Sequence, residues 1–175
     1  MGGYAGSILY VDLTSGDMDV RPLDLEFAKE YMGGLGFGTK IYLDLIKGKP
    51  DFDPLSPENP FVLMTGPLTG MRTNAVARWT VGSKSPLTGL WGDCNIGGFF
   101  GAQLKFAGYD GIVITGAANS PAYIHIEDAK VEIRDAQKYW GRDVYTVNDE
   151  MIADHKTESK NQARSLQLAL PAKIL

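Results

Sequence analysis

Short apolar runs recur along the chain, each closed by glycine, proline or small polar residues, and their spacing predicts strands joined by hairpins with a few short helices. Residues 7–13 (Ser-Ile-Leu-Tyr-Val-Asp-Leu) read as a strand, Thr14-Ser15-Gly16-Asp17 as a turn, and residues 18–22 as the strand that returns from it. Asp24 can cap a helix over residues 25–32, which Gly33 and Gly34 would close. A second helix is expected over residues 39–46, where Ile41, Leu43, Leu45 and Ile46 supply an apolar face. Pro50, Pro54, Pro57 and Pro60 mark residues 47–60 as a connection over the surface.

Strands follow at residues 61–65 and 76–82, each succeeded by one theme, Gly66-Pro67-Leu68-Thr69-Gly70 and Ser85-Pro86-Leu87-Thr88-Gly89. Proline presets a turn there and glycine releases it, so a local pseudo-repeat is expected. Gly97-Gly98 opens a helix through Phe106, and residues 111–116 (Gly-Ile-Val-Ile-Thr-Gly) form a buried strand. Residues 122–127 and 131–134 alternate like a second hairpin, and residues 141–155 read as a helix. The expected class is α+β and β-rich: hairpin-dominated sheets with a few short helices, not a doubly wound parallel sheet.

With 44% hydrophobic and 22% charged residues in 175 positions, the chain can fold as one domain around its own core. A net charge of -4, with no Lys/Arg cluster, argues against nucleic-acid or anionic-membrane partners held by general electrostatics. No stretch approaches bilayer-spanning length, and Met1-Gly2-Gly3-Tyr4-Ala5-Gly6 lacks a basic and apolar leader, so the expected location is cytoplasmic. The single cysteine, Cys94, cannot close an internal disulfide or by itself hold zinc or an iron–sulfur cluster. The 21 glycines imply many tight turns or backbone lying against something bulky, a first pointer to a ligand.

Gly33-Gly34-Leu35-Gly36-Phe37-Gly38 is superficially a dinucleotide loop, yet that fingerprint needs a strand before it, and here a helix precedes. A helix-to-helix turn is the simpler reading. His125 and His155 lie thirty residues apart without a ligand partner at metal spacing, and Cys94 reads as a small buried side chain more readily than as a functional thiol. Residues 66–110 differ in kind. There Arg78 stands alone in an apolar strand, followed by Asn95-Ile96-Gly97-Gly98 before a helix. A guanidinium grips phosphate bidentately, and paired glycines let backbone N–H groups approach the same anion. The two readings that remain are a phosphate-bearing cofactor and an arginine paired with a buried carboxylate.

The run Asp53-Pro54-Leu55-Ser56-Pro57-Glu58-Asn59, the two Pro-Leu-Thr-Gly loops, the stretch Gly97-Gly98-Phe99-Phe100-Gly101-Ala102-Gln103-Leu104-Lys105-Phe106-Ala107-Gly108-Tyr109-Asp110, and Val131-Glu132-Ile133-Arg134-Asp135-Ala136 with Trp140-Gly141 resemble the N-terminal domain of the aldehyde ferredoxin oxidoreductase family. The resemblance covers residues 1–155 and implies a β-rich base that cradles a tungsten bis-pterin cofactor (tungstopterin), with magnesium bridging the pterin phosphates. By motif position it makes Arg78, Asn95, Gly97 and Gly98 cofactor-binding, with the Asn95 backbone carbonyl a magnesium ligand, a hard-oxygen donor of the kind that ion prefers. It implies an oxidoreductase that converts an aldehyde to a carboxylic acid and passes electrons through a four-iron cluster to ferredoxin; the cluster belongs to domains this chain lacks. Substrate does not follow, because the family includes a reductase of an aromatic coenzyme A thioester.

The family's second pterin motif is absent, and residues 156–175 read as a divergent tail. One permitted codon string for residues 166–175, read two bases later, gives Ala-Ile-Gly-Pro-Ala-Gly-Glu-Asn-Leu, which resembles the family's continuation; a reading-frame slip near residues 161–166 and a truncated product are therefore expected. Alone, this chain is not expected to turn over substrate. The alternatives are a non-catalytic pterin-binding or assembly module, and a fragment that self-associates as a homo-oligomer through apolar surface left uncovered.

Overall fold

The computed structural model describes residues 2–127 and 130–155. Strands β1 (Ser7–Asp12) and β2 (Met18–Pro22) form the first hairpin, its turn held by Asp12 Oδ1 accepting the N–H groups of Thr14 (2.8 Å) and Ser15 (3.2 Å). Helix α1 (Leu25–Tyr31) begins at Asp24, whose carboxylate accepts the Glu26 N–H at 2.9 Å, as the capping residue predicts. Helix α2 (Leu35–Ile46) then starts four residues earlier than the apolar face suggests. Its extra turn contains Gly36 and Gly38, and a Cβ at Gly36 would lie 2.1 Å from the Tyr31 carbonyl oxygen, so that glycine lets α2 start directly against the end of α1.

Strands β3 (Phe61–Thr65), β4 (Trp79–Lys84), β5 (Trp91–Ile96) and β6 (Gly111–Thr115) complete a six-stranded sheet in the order β2-β1-β6-β3-β4-β5. Only β1 and β6 run parallel; every other neighbouring pair is antiparallel. Helix α3 (Phe100–Phe106) connects β5 to β6. A separate hairpin, β7 (Ala122–Glu127) with β8 (Lys130–Asp135), precedes helix α4 (Val144–Asp154), which Asp143 caps by accepting from Tyr145 and Thr146 at 3.0 Å. The architecture is α+β and strand-rich with short helices.

Side chains of the sheet alternate between two cores. Ile8, Val62, Met64 and Val113 meet Phe37, Ile41 and Tyr42 beneath α1 and α2. Leu9, Val11, Leu63, Trp79 and Ile112 meet Leu104 of α3 and the inner face of the small hairpin (Ile124, Ile126, Val131, Ile133). The outer face of that hairpin carries Tyr123, His125, Glu132 and Arg134, against which α4 rests through His155.

Two expectations need correction here. The strand assigned to residues 76–82 runs over Trp79–Lys84, because Val76 O accepts the Gly70 N–H (3.1 Å) and Arg78 O accepts the Thr69 hydroxyl (2.7 Å), closing a loop before the ladder starts. Arg78 is therefore exposed at the mouth of β4, not set within an apolar strand. Residues 91–96, for which the pattern predicts no element, form the edge strand β5, and Cys94 on it is exposed, not the buried side chain expected.

Candidate functional site

The β4–β5 ladder pairs Thr80 with Asn95 and ends with Trp79 opposite Ile96, so Arg78 and Gly97 leave the sheet side by side. The Trp79 indole is 2% exposed and donates to Gly97 O at 3.2 Å, fixing the chain at this point. Thr80 donates its hydroxyl to Asn95 Oδ1 at 2.9 Å, which leaves Asn95 at the sheet edge in a set position. Gly97 and Gly98 are exposed, and a Cβ built on either meets nothing within 4 Å.

That last point separates two kinds of glycine in the segment. Gly101 has its place set from within the molecule: a Cβ there would meet the Trp79 ring at 2.9 Å, so α3 can pack on the indole only with glycine at that position. Gly97 faces no such neighbour. Among the described residues no carboxylate pairs with Arg78, which removes the reading of a guanidinium neutralised by a buried acid. The arrangement offers a planar fork of N–H donors beside a side-chain-free stretch of backbone, a surface suited to a flat guest that carries phosphate.

Arg78, Asn95, Gly97 and Gly98 are thus brought together at one end of the ladder. The two Pro-Leu-Thr-Gly loops are not. The first (residues 66–70) precedes β4 and borders Arg78, whereas the second (residues 85–89) follows β4 at its far end, with Leu87 92% exposed. The pseudo-repeat therefore marks two ends of one strand and not two walls of one site. Helix α3 has seven residues and no side-chain cap, so Gly97-Gly98 closes β5 rather than opening a helix at once.

The histidines also differ from expectation. His125 and His155 sit with ring centroids 4.6 Å apart, and His155 Nε2 is 3.0 Å from the Tyr123 hydroxyl. Burial, then the Arg134 guanidinium and His155, hold the His125 imidazole below its ordinary value. Among the described residues no group of three His, Cys, Asp or Glu side chains is placed to hold a metal ion. Sequence reasoning missed Lys105, Asp110 and Thr69, which surround the loop bearing Arg78; an Asp five residues after a Lys in an apolar helix was the available signal.

This chain belongs to the aldehyde ferredoxin oxidoreductase family: the family's N-terminal domain matches residues 8–167. The match runs past residue 155 into the stretch read as a tail; residues 156–175, and the expected frame slip with them, lie outside the described residues. The chain is similar to the tungsten-containing aldehyde ferredoxin oxidoreductase of Pyrococcus horikoshii, with 49% identity over 95% of this chain and 27% of that protein. The corresponding protein of Pyrococcus abyssi is 50% identical over 81% of this chain and 23% of its own length. Among solved structures, the active site complex BamBC of benzoyl coenzyme A reductase with 1,5-dienoyl-CoA superposes with a TM-score of 0.83 at 34% identity, covering 87% of this chain and 23% of that one. The chain spans about a quarter of the length of the relatives it matches. Among the described residues no helix is long and apolar enough to cross a membrane.

Proposed function

We propose that residues 1–155 form the cofactor-facing domain of a tungsten-dependent aldehyde:ferredoxin oxidoreductase and that Arg78, Asn95, Gly97 and Gly98 bind its pterin cofactor. The observation that carries this reading is the open Gly97-Gly98 backbone beside a guanidinium with no carboxylate partner. The residues fit a tungsten bis-pterin group on that ground, and the family relationship supplies its identity.

Arg78 would take a phosphate through two parallel N–H bonds, fixing orientation as well as charge. Gly97 and Gly98 admit a planar ring system to within contact of the main chain. The Asn95 carbonyl offers one oxygen to a magnesium ion that would draw its other ligands from phosphates and water. Trp79 keeps Gly97 in register with Arg78, so the three contacts act on one guest. When bound, the group supplies the oxidation of an aldehyde and water to a carboxylic acid, with electrons leaving through an iron–sulfur cluster to ferredoxin.

One cysteine cannot ligate such a cluster, and that favours a second reading for this chain alone, a pterin-binding or assembly module without turnover. The purified chain decides between them by its tungsten and iron content and by aldehyde-dependent dye reduction. Tungsten without iron or turnover supports the binding module, all three together support an enzyme in its own right, and a metal-free chain from tungstate-fed cells contradicts both.

A further inference from the structure

Burying an ammonium is costly unless its charge and N–H bonds are answered. The Lys105 side chain is 8% exposed, and its Nζ donates to the carbonyls of Gly3, Gly66 (2.8 Å) and Pro67 (3.5 Å), with Asp110 Oδ1 3.6 Å away. The Asp110 carboxylate is itself 1% exposed and accepts the N–H groups of Ala5 (2.9 Å) and Gly6 (2.7 Å). Its main-chain carbonyl accepts both the N–H and the hydroxyl of Thr65, at 2.8 Å each.

Gly66 and Pro67 are the first residues of the loop that delivers Arg78. Thr69 Oγ1 accepts the Gly66 N–H (3.0 Å) and donates to Arg78 O (2.7 Å), so an unbroken series of contacts runs from Asp110 through Lys105, Gly66 and Thr69 to the Arg78 main chain. The rest of the loop is weakly held: residues 71–75 are exposed, and Ala75 has a φ of +62°, a left-handed backbone that a Cβ disfavours. A loop with strain in its middle stays in one shape only if its ends are over-determined, and Lys105 holds the first end by its Gly66 and Pro67 carbonyls, beside the bonds of Thr65 to Asp110.

We propose that Lys105, backed by Asp110, is a positioning residue that holds residues 66–78 so that the Arg78 guanidinium is presented beside Gly97; this rests on the cofactor-facing reading of Arg78. Lys105 does not touch the guest. It acts through Thr69, and it differs from an ordinary stabilising ion pair in that its loss moves one guanidinium.

The test uses the full chain with inorganic pyrophosphate and magnesium as the probe. In the unaltered chain the Lys105 ammonium gives a slowly exchanging proton–nitrogen signal with contacts to Gly66; exchange as fast as that of the exposed Lys29 overturns the inference without any substitution. Lys105→Met lowers pyrophosphate affinity by about tenfold, the weight of one charge-assisted hydrogen bond, Lys105→Arg restores most of it, and Thr69→Val reproduces the loss. A folded Lys105→Met chain that binds like the parent overturns the proposal. If Arg78→Ala leaves the parent's pyrophosphate binding unchanged, the reading of Arg78 has failed instead. Lys105 is then judged on amide exchange alone: faster exchange of Thr69 and Gly70 in Lys105→Met sustains its hold on the loop, and unchanged exchange removes it.

Discussion

Gly101→Ala places a methyl group where the structure has an indole. The new Cβ would lie 2.9 to 3.1 Å from Trp79 Cδ1, Cγ and Cβ, closer than the ring can tolerate. Trp79 is 2% exposed, packs against Phe100 with ring centroids 5.1 Å apart and tilted by 45°, and donates to Gly97 O, so it cannot swing aside without giving up one of these contacts. Overpacking of this kind costs about 1–3 kcal/mol. The Trp79–Gly97 hydrogen bond adds about 1 kcal/mol when broken, and the better helix propensity of alanine returns at most about 1 kcal/mol. The expected loss is about 2 kcal/mol, a fall in melting temperature of about 4–8 °C for a chain of this length. Thermal unfolding followed by circular dichroism measures it, with Gly97→Ala as the companion. That second methyl meets nothing within 4 Å and should change stability by less than about 0.5 kcal/mol. A Gly101→Ala chain that melts with the parent, or a Gly97→Ala chain that loses as much, refutes the division of these glycines into tightly packed and open.

Asp110→Asn leaves the buried Lys105 ammonium without its counter-charge and should cost about 3 kcal/mol or more, read as a lower urea midpoint; an unchanged midpoint would show that the pair is dispensable. Glu132 is held down to about 2 by hydrogen bonds from Lys130 first and Arg134 second. Its folded value is depressed, so the stabilisation is full above its ordinary value of 4.5 and is lost as pH falls through about 2; amide exchange in the β7–β8 hairpin should rise over that window, and Glu132→Gln should remove the pH dependence. The effect should be small and salt-sensitive because the pair is open to solvent. His125, held below its ordinary 6.5 chiefly by burial, favours its neutral form in the fold. Contact between α4 and the hairpin should therefore weaken as pH falls below 6.5, seen as loss of the His125–His155 proton contact; contact that persists after His125 titrates would contradict the assignment.

The parts that local chemistry governs were legible in the sequence. Asp12 and Gly16 write the first turn, Asp24 caps α1, and the buried run of β6 stands out between two glycines. What was hidden depends on partners distant along the chain. Strand β5 carries Gly92, Asp93 and Asn95, all poor strand formers, and is ordered by its ladder with β4. The early turn of α2 was masked because Gly36 reads as a helix breaker until the Tyr31 carbonyl is seen against it. Arg78 looked internal because its neighbours Val76, Ala77 and Trp79 are apolar, and two hydrogen bonds from residues 69 and 70 lift it out of the sheet. The candidate site was legible through family motifs, while its convergence needed the register of Trp79 with Ile96. Nothing in local spacing could have paired His125 with His155 or Lys105 with Gly3.

One end of the β4–β5 ladder is proposed to receive a phosphorylated guest. Titration of the isotopically labelled chain with magnesium pyrophosphate, followed through assigned backbone amides and the arginine side-chain signals, tests it most directly. Arg78, Asn95, Gly97 and Gly98 should shift together along one saturation curve, while residues 85–89 at the opposite end of β4 stay still. Shifts confined to residues 85–89, or none at Arg78 and Gly97 at saturating probe, would contradict it.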